Sequence, residues 1–278
     1  MADAAAWEVH VLEYARSKDQ LVAGLILGTH DGAVVDLPFS FVLARRGDRV
    51  VLIDTGFMRE GSGADFAEKF GIPYWISPVA MLGHLGVAAE AVTDIVLSHA
   101  HFDHMGSIGQ FPNATIHIQK QELLSWIELL ALPPRFGVLT AIINPDDMRR
   151  AFDASIEHRL HLVDGDRDNL LPGLHARLGA GHTLGQQFVI LETARGRIVV
   201  AGDCIYTQAN ICGHNHDGVY VPLANAVGST LDQLKTIDRI NVEIGGDLSR
   251  LVILHDPERW AGRPIVAEID GFRIVHIA

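Results

Sequence analysis

The stretch VLSHAHFDHMGS, from Val96 to Ser107, is the most informative part of this chain of 278 residues. Four side chains that commonly bind metal ions are crowded into it, namely His99, His101, Asp103 and His104. The apolar run before them is typical of a short buried strand, so the first two histidines are expected to emerge together where that strand ends. The aspartate and the third histidine follow at a turn that is predicted to open a helix. Their offset directs them to a second position beside the first.

Further candidate ligands lie later in the chain, each after a strand-like segment and before a turn. They are His182 in GAGHTLGQ, Asp203 at the end of RIVVAGD and His255 at the end of RLVILH. One such histidine is more often structural than a ligand, but three such positions beside the crowded stretch favour a completed site. Imidazole and carboxylate together suit Zn2+, with Fe2+, Mn2+ and Co2+ as alternatives. The sequence therefore predicts two divalent metal ions.

The composition limits the kind of protein that these residues serve. With 48% hydrophobic residues the chain can bury one large core, and it contains neither a low-complexity linker nor an internal repeat. We therefore expect a single domain over residues 1–278. A net charge of −12 with scattered lysine and arginine residues would repel a phosphate backbone. A small-molecule substrate is expected, and nucleic acid is not.

The location is predicted from the cysteines and from the hydropathy of the chain. Cys204 and Cys212 are the only cysteines, and one pair eight residues apart does not resemble an extracellular disulfide framework. The N-terminal stretch MADAAAWEVHVLEYAR lacks a basic start followed by an apolar core, and no window of the sequence is apolar for as long as a membrane span. A cytoplasmic protein without membrane contact is expected, and a homodimer is one candidate for its assembly.

Short apolar segments rich in β-branched residues recur in both halves of the chain and are predicted to form two sheets. They include VHVLEY, PFSFVLAR, RVVLID, TIHIQ, LHARL, QFVILET, RIVVAG and GFRIVHI. Amphipathic helices are predicted over STLDQLKTIDRI, starting at Ser229, and over residues 120–132. The apolar stripe of the second helix consists of Leu123, Leu124, Ile127 and Leu130. The stretch from Phe57 to Leu85 is predicted to be a long loop.

Taken together, these motifs resemble the metallo-β-lactamase superfamily, and the resemblance covers nearly the whole chain. The matching motifs are LIDTG at 52–56, the crowded stretch at 99–104, GHTLGQ around His182, AGD at Asp203 and LHD at His255. The resemblance implies an α/β fold, namely an αββα sandwich of two mixed β-sheets flanked by helices. It also implies that the metals lie at one edge of the two sheets.

By the same resemblance, each metal has its own ligands and one residue is shared. The first metal would be bound by His99, His101 and His182. The second metal would be bound by Asp103, His104 and His255. Asp203 would bridge both metals. Asp54, in the LIDTG motif, would accept a ring N–H and so orient a ligand histidine, although a simple turn aspartate explains it equally well.

Two bridged metals that hold a hydroxide favour hydrolysis at a carbonyl or phosphoryl centre. Tyr206 follows Asp203 by three residues in GDCIYTQAN, and this spacing is similar to that of the N-acyl homoserine lactonases, as is Phe102 within HFDH. The resemblance implies that the bridging hydroxide opens a lactone ring, with Tyr206 and Asp103 as catalytic residues. Phe102 and Tyr206 would contact the substrate. For Tyr206, packing at a strand end is the alternative.

The substrate pocket is less well determined by the sequence. His214 and His216 in NICGHNHDGVY are predicted to contact the substrate, with an exposed turn as the alternative. An apolar wall for an acyl chain or an aromatic ring is also predicted, although core packing would explain its residues equally well. These residues are Phe57, Met58, Trp75 and the helical stripe near Trp126.

Several alternatives to an N-acyl homoserine lactone stay open. Hydrolysis of a cyclic amide or imide, or of a lactone from aromatic catabolism as in the pyridoxolactonase branch, fits the same ligands. A thioester hydrolase of the glyoxalase II type also fits them, but the segment PERWAGRPIVAEIDGF offers few cations for glutathione. A binding protein without catalysis would be expected to have lost metal ligands, and the sequence retains all of them.

Overall fold

The computed structural model describes residues 6–260 and 262–278, without the side chains of residues 257 and 259. The first five residues belong to the N-terminal stretch from which the absence of an export signal is predicted, and they lie outside this range. Within the described part, the short apolar segments form strands, since their β-branched and aromatic side chains pack well on a pleated surface.

The larger sheet contains nine of these strands. Their bounds are β1 Glu8–Leu21, β2 Val34–Arg46, β3 Arg49–Ile53, β4 Tyr74–Trp75, β5 Asp94–Val96, β6 Thr115–Gln119, β7 Leu160–Val163, β13 Ile265–Ile269 and β14 Phe272–His276. The strands lie in the order β13-β14-β1-β2-β3-β5-β6-β7, with β4 paired to β1. The neighbouring strands β3, β5, β6 and β7 are parallel to one another. Strands β2 and β14 are antiparallel to β1. The larger sheet is therefore mixed.

The smaller sheet contains five strands. Their bounds are β8 Arg167–Leu171, β9 Leu174–Leu178, β10 Gln187–Thr193, β11 Gly196–Val200 and β12 Leu251–Val252. They lie in the order β12-β11-β10-β9-β8. The β11–β12 pair is parallel and the others are antiparallel, so this sheet is mixed as well.

The α-helices cover the outer faces of both sheets. Their bounds are α1 Ser62–Lys69, α2 Pro78–Gly83, α3 Phe102–Met105, α4 Lys120–Leu130, α5 Pro145–Ile156, α6 Gln208–Cys212 and α7 Thr230–Ile244. At the start of α7, the Ser229 side chain accepts a hydrogen bond from Asp232 N at 3.0 Å, which confirms the helix predicted there. Of the helices in the described residues, none combines the length and the apolar character that crossing a bilayer requires.

Alternating residues within single strands show how the layers are stacked. In β3, Val51 and Ile53 face the smaller sheet, whereas Leu52 between them packs in the cluster that contains residues of the covering helices. In β10, Val189 faces the larger sheet and Ile190 packs with residues of α7. The layers thus run from helices through the larger and smaller sheets to a helix. The predicted αββα sandwich of two mixed sheets is confirmed.

The segment from Phe57 to Leu85 differs from its prediction, because it is not one long loop. It contains α1, β4 and α2. The Ser77 side chain caps α2 by accepting a hydrogen bond from Ala80 N, and Pro78 occupies the first turn. These helices are short and carry glycine and aromatic residues, so the segment shows little regular periodicity.

Helix α4 lies where the sequence predicts it, but the predicted apolar stripe is not its buried face. Ile127 and Leu130 are exposed, whereas Glu122 and Trp126 are buried. Glu122 points inward because its carboxylate accepts four hydrogen bonds from groups in the interior. Specific polar contacts therefore outweigh the hydrophobic pattern in setting the rotation of this helix.

Candidate metal centre

The predicted metal ligands converge at one edge of the two sheets, in the loops that follow four strands. His99 and His101 lie just after β5, and α3 carries the next part of the crowded stretch. His182 lies between β9 and β10, Asp203 in the turn after β11, and His255 after β12. Because parallel strands end on the same side of a sheet, residues distant in sequence meet there.

One group of ligand atoms contains three imidazoles and a carboxylate. His99 Nε2 lies 2.9 Å from His101 Nδ1, and His182 Nε2 lies 3.1 Å from the same His101 atom. Asp203 Oδ2 lies 3.8 Å from His99 Nε2 and 3.4 Å from His182 Nε2. All four residues are buried, with at most 3% of each surface exposed.

A second group uses the other carboxylate oxygen of Asp203. His104 Nε2 and His255 Nε2 each lie 3.2 Å from Asp203 Oδ1. Asp103 Oδ2 lies 3.3 Å from His104 Nε2 and 3.6 Å from His255 Nε2, and the two imidazole nitrogens are 3.5 Å apart. The two groups therefore share one residue, Asp203, through its two oxygens.

Both groups have the dimensions of a metal shell. Ligand atoms bound at about 2.0–2.1 Å to one tetrahedral ion lie roughly 3.3 Å from one another, and the separations above bracket that value. Asp203 Oδ1 is buried and accepts no hydrogen bond within the described residues, which is costly unless a cation satisfies it. The chain thus has a His and Asp cluster that fits two divalent metal ions.

Hydrogen bonds on the far side of the rings leave the metal-facing nitrogens free. His182 Nδ1 donates to Asn225 O at 2.8 Å, and His255 Nδ1 donates to Pro38 O at 2.8 Å. Since a carbonyl oxygen can only accept, each Nδ1 carries a proton, and in the neutral ring Nε2 then keeps its lone pair. Both acceptors are backbone carbonyl oxygens, which every residue has, so sequence reasoning missed both contacts.

Asp54 likewise helps to orient two other histidine rings of the cluster. Its Oδ2 accepts from His104 Nδ1 at 2.8 Å and from Ser98 Oγ at 2.8 Å, while its Oδ1 accepts from Ser98 N at 2.7 Å. Ser98 Oγ in turn lies 3.0 Å from His99 Nδ1 and can accept its proton. The carboxylate of Asp54 is thus placed where the sequence predicts it, and Ser98 is a relay that the sequence reasoning missed.

The backbone around these contacts is tightly constrained. Asp54 has φ of +61°, a left-handed conformation that is uncommon for a residue with a side chain. Gly202, before the shared aspartate, has φ of +54°, and a Cβ there would lie 2.7 Å from Ser98 Cβ. Glycine is required at this position because the two loops approach too closely for any larger residue.

The electrostatics of the cluster favour charged aspartates. Burial alone would raise the pKa of Asp203, but His104 and His255 hold it well below its usual value. Burial alone would lower the pKa of His104, but Asp203, Asp103 and Asp54 raise it well above its usual value. Burial and the neighbouring imidazoles instead lower the pKa of His99. The carboxylates thus carry negative charge that a divalent cation can neutralise in place of the His104 proton, and imidazole with carboxylate is the ligand set of zinc-type sites.

Glu122 joins two of the ligand loops, although the sequence gives no sign of this role. Its Oε1 accepts from Ala100 N at 3.0 Å and from Trp126 Nε1 at 2.6 Å. Its Oε2 accepts from Thr183 Oγ1 at 2.6 Å and from Gly185 N at 3.0 Å. The side chain therefore fixes the loop of His99 and His101 to the loop of His182.

Tyr206 lies beside the cluster, as predicted. Its ring packs edge-on against His182 and His255, with ring centroids 5.5 and 5.4 Å away. Asn210 Oδ1 accepts from Tyr206 N at 3.0 Å and so fixes the turn before α6. Burial, followed by the charge of Asp203, raises the pKa of Tyr206 well above its usual value, so its hydroxyl remains a hydrogen-bond donor at neutral pH.

A cavity of about 90 Å³ opens onto the cluster. Tyr206, Phe102 and Asp103 line it together with His101, Asp203 and His255. Its apolar wall is formed by Leu25, Leu37, Phe39, Phe70 and Ile142. Ser17, Gln20 and Asn225 complete the lining.

Several predicted pocket residues are not brought to this cavity. His214 and His216 are exposed, and His214 Nε2 lies 3.3 Å from Leu27 O, so the turn alternative describes them. The predicted apolar wall is displaced as well. Phe57 and Trp126 are buried in the core, where Trp126 Nε1 donates to Glu122, and Trp75 Nε1 donates to Phe57 O at 3.1 Å. Met58 lines a separate groove beside α1.

Comparison with known proteins identifies the family. The model of the Metallo-beta-lactamase superfamily matches residues 34–244. The N-acyl homoserine lactonase AttM of Azorhizobium caulinodans is 26% identical over 243 residues, which are 83% of this chain and 86% of that protein. A quorum-quenching N-acyl homoserine lactone lactonase shares the fold, with a TM-score of 0.71 at 18% identity over 94% of this chain and 97% of that one. AidC, described as a dizinc quorum-quenching lactonase in complex with a product, has a TM-score of 0.70 at 20% identity over 98% and 95%. The chain belongs to the metallo-β-lactamase superfamily.

Proposed function

We propose that this protein is a metal-dependent hydrolase that opens a lactone ring, with N-acyl homoserine lactones as the preferred substrate class. The observation that carries the proposal is the pair of four-atom ligand groups that share Asp203 beneath a cavity bordered by Tyr206. The names of the relatives support the lactone assignment, since AttM and AidC are both described as lactonases.

The ligand sets follow from the two groups of atoms. His99, His101 and His182 would hold the first metal, and Asp103, His104 and His255 the second, with Asp203 between them. When bound, two divalent cations would supply Lewis acidity for the ester carbonyl and would make bound water acidic enough to act as the nucleophile. Zinc is the proposed metal because each group offers four nitrogen and oxygen atoms at tetrahedral spacing, and because AidC is described as a dizinc enzyme.

Two side chains of the cavity are proposed to act on the reacting ester. The Tyr206 hydroxyl stays protonated and donates a hydrogen bond to the carbonyl oxygen as negative charge develops there. Asp103 lines the cavity, and we assign to its carboxylate the acceptance of a proton from the attacking water and its delivery to the leaving alkoxide of the opened ring. Phe102 is expected to contact the substrate from the wall beside Asp103.

The character of the cavity distinguishes between the candidate substrates. Five apolar side chains form one wall, which suits an acyl chain. Within the described part of the chain, no lysine or arginine is among the lining residues, so the carboxylates of a glutathione thioester would find no cationic partner there. This favours a lactone over the glyoxalase II type of substrate. A cyclic imide or an aromatic lactone is the second candidate, because the small cavity fits a ring without a long chain.

The decisive experiment compares substrate classes on zinc-quantified protein by the acid released on hydrolysis. N-acyl homoserine lactones of increasing chain length are expected to be hydrolysed faster than aromatic lactones, cyclic imides and S-lactoylglutathione. His101→Ala and Asp203→Ala should abolish turnover in protein that still folds by circular dichroism. Faster hydrolysis of the thioester or imide, or full activity in either variant, would contradict the proposal.

Domain organisation, location and assembly remain part of the proposal. One domain over residues 1–278 is supported by the hydrophobic cluster that joins the two sheets. A cytoplasmic location is supported by Cys204 and Cys212, which are both free. A homodimer stays a prediction, which sedimentation at several protein concentrations tests.

A further inference from the structure

A separate group of histidine and carboxylate side chains lies on the larger sheet, away from the candidate metal centre. His10 in β1 and His276 in β14 are directly opposite each other across the two strands. Glu8 precedes His10 by two residues, so it lies on the same face of β1. Along β1, His10 comes four residues before Tyr14, whose hydroxyl contacts Asp103 O near the centre, so the group lies about 13 Å further along the strand.

The ligand atoms of the three side chains lie near one another. The rings of His10 and His276 have centroids 5.1 Å apart, and His10 Nε2 lies 3.8 Å from Glu8 Oε1. One ligand atom from each residue can be chosen so that all lie within 4.8 Å of one another. Small inward rotations of the two partly exposed partners would bring these atoms to the spacing of a metal shell.

His10 is a buried side chain with one unsatisfied ring nitrogen. Only 3% of its surface is exposed, and its Nδ1 makes no hydrogen bond within the described residues. An unsatisfied ring nitrogen in such a position is costly, and a cation bound at Nδ1 would satisfy it. Burial lowers the pKa of His10 to about 4, against the opposing effect of Glu8, so the imidazole is neutral and its lone pair is available.

Another pair of facing histidines shows that this situation is not general. His117 and His161 are also directly opposite each other, on β6 and β7. There, however, the two Nδ1 atoms are 2.9 Å apart and share a hydrogen bond, and His117 Nε2 donates to Asp94 Oδ1 at 2.9 Å. His117 is thus fully satisfied by the protein, whereas His10 is not.

Arg45 is the cationic neighbour that any ion at this group would meet. Its Nε lies 3.4 Å from Glu8 Oε2, so it holds one carboxylate oxygen and leaves Oε1 on the side of His10. The guanidinium group therefore orients Glu8, but its positive charge opposes a second cation nearby. Binding is expected to be weaker than at a centre with several carboxylates.

We propose that Glu8, His10 and His276 form an additional binding site for a borderline divalent cation of the zinc type, separate from the catalytic centre. Two imidazole nitrogens and one carboxylate oxygen supply three ligands, and water completes the shell on the exposed side. The site lies on a regular pair of strands, so occupancy would tie the C-terminal strand β14 to β1.

The test is the zinc content of the zinc-loaded protein at a fixed, buffered free Zn2+ concentration. Wild type is expected to bind one more equivalent per chain than Glu8→Gln or His276→Gln, and both residues are accessible enough for the variants to fold. His161→Gln, from the satisfied pair, is the matched control and should bind as much zinc as wild type. Arg45→Gln should bind the additional equivalent with a lower Kd, because a repelling charge is removed.

This test does not depend on the catalytic assignment. The measured quantity is the difference in zinc content between wild type and variant, and zinc bound at the main centre contributes equally to both. Excess zinc should also raise the Tm of wild type more than that of His276→Gln. Turnover should be the same in wild type and Glu8→Gln. Equal zinc content in wild type, Glu8→Gln and His276→Gln would overturn the proposal, as would an equal loss in His161→Gln.

Discussion

Replacing Asp54 by asparagine is expected to weaken metal binding without changing any proposed ligand. Asp54 accepts from Ser98 N at 2.7 Å, from Ser98 Oγ at 2.8 Å and from His104 Nδ1 at 2.8 Å. Asparagine can still accept from Ser98 N, and the hydroxyl of Ser98 can turn to accept from the new amide group. His104 has no such freedom. Either the amide N–H of the asparagine faces the Nδ1–H of His104, or the ring proton moves to Nε2. Nε2 is the atom that faces the second metal position.

The size of the effect follows from this single lost contact. A hydrogen bond to a charged acceptor contributes about 1.5–3 kcal/mol. The metal-bound state needs His104 with a free Nε2, and we expect the hydrogen-bond energy to be lost in that state alone. The affinity of the second metal position then falls roughly 10- to 100-fold, the range found when residues that hydrogen-bond to a metal ligand are replaced. Binding at the first position should change less, because Asp54 reaches His99 only through Ser98.

The assay is metal content against a competing chelator of known affinity, with unfolding measured in parallel. Asp94→Asn is the matched control, because Asp94 is also buried and also accepts from a histidine, His117, but far from the proposed ligands. It should lower stability and leave metal affinity unchanged. The reasoning would be refuted if Asp54→Asn kept wild-type affinity at both positions, or if Asp94→Asn reduced affinity equally.

Three further outcomes are expected. Tyr206→Phe should lower kcat about tenfold at unchanged metal content, since one hydrogen-bond donor is lost, and unaltered kinetics would reject its role. Chelation of the metals should abolish hydrolysis and lower the Tm, and added Zn2+ should restore both. Burial raises the pKa of Asp147 to about 6 despite Arg150, so the native state keeps this proton to higher pH than the unfolded state. The stability of wild type relative to Asp147→Asn should therefore fall by about 3 kcal/mol in total as the pH rises from about 3 to about 7 in urea unfolding, and parallel curves would contradict this.

The fold could be predicted because its central strands carry uninterrupted apolar signals. VLI of β3, from Val51 to Ile53, and QFVIL of β10 are buried on both faces, as a strand between two covered layers must be. Strands β8 and β13 lie at the sheet edges and are largely exposed, so they lack that signal and were not predicted. The stripe of α4 misled for the opposite reason, because exposed leucines such as Leu130 imitate a buried face.

The metal cluster could be predicted because its residues lie in short motifs at strand ends. The residues that orient these ligands could not be predicted, and the physical reason differs from one residue to the next. Asn225 and Pro38 act through backbone carbonyls, which any residue supplies. Glu122 is one acidic residue among several on a helix, and only the folded chain shows that its four donors come from three segments. The pair His214 and His216 had the composition of a site but lies on the surface.

The candidate metal ligands and the cavity wall are held in place by different contacts, and this difference indicates which residues determine substrate preference. Each ring of the cluster that presents Nε2 is held by a hydrogen bond from its Nδ1, and Glu122 ties the two loops of the first group together. These contacts leave little freedom for the metal positions to vary. The cavity wall is built differently, since Leu25 packs with Tyr206 in a small hydrophobic cluster, and Leu37 packs against that cluster. Changes in that cluster can reshape the pocket without disturbing the ligands, so variation of the substrate is expected there, while the hydrolytic chemistry stays with the rigid edge of the sheets.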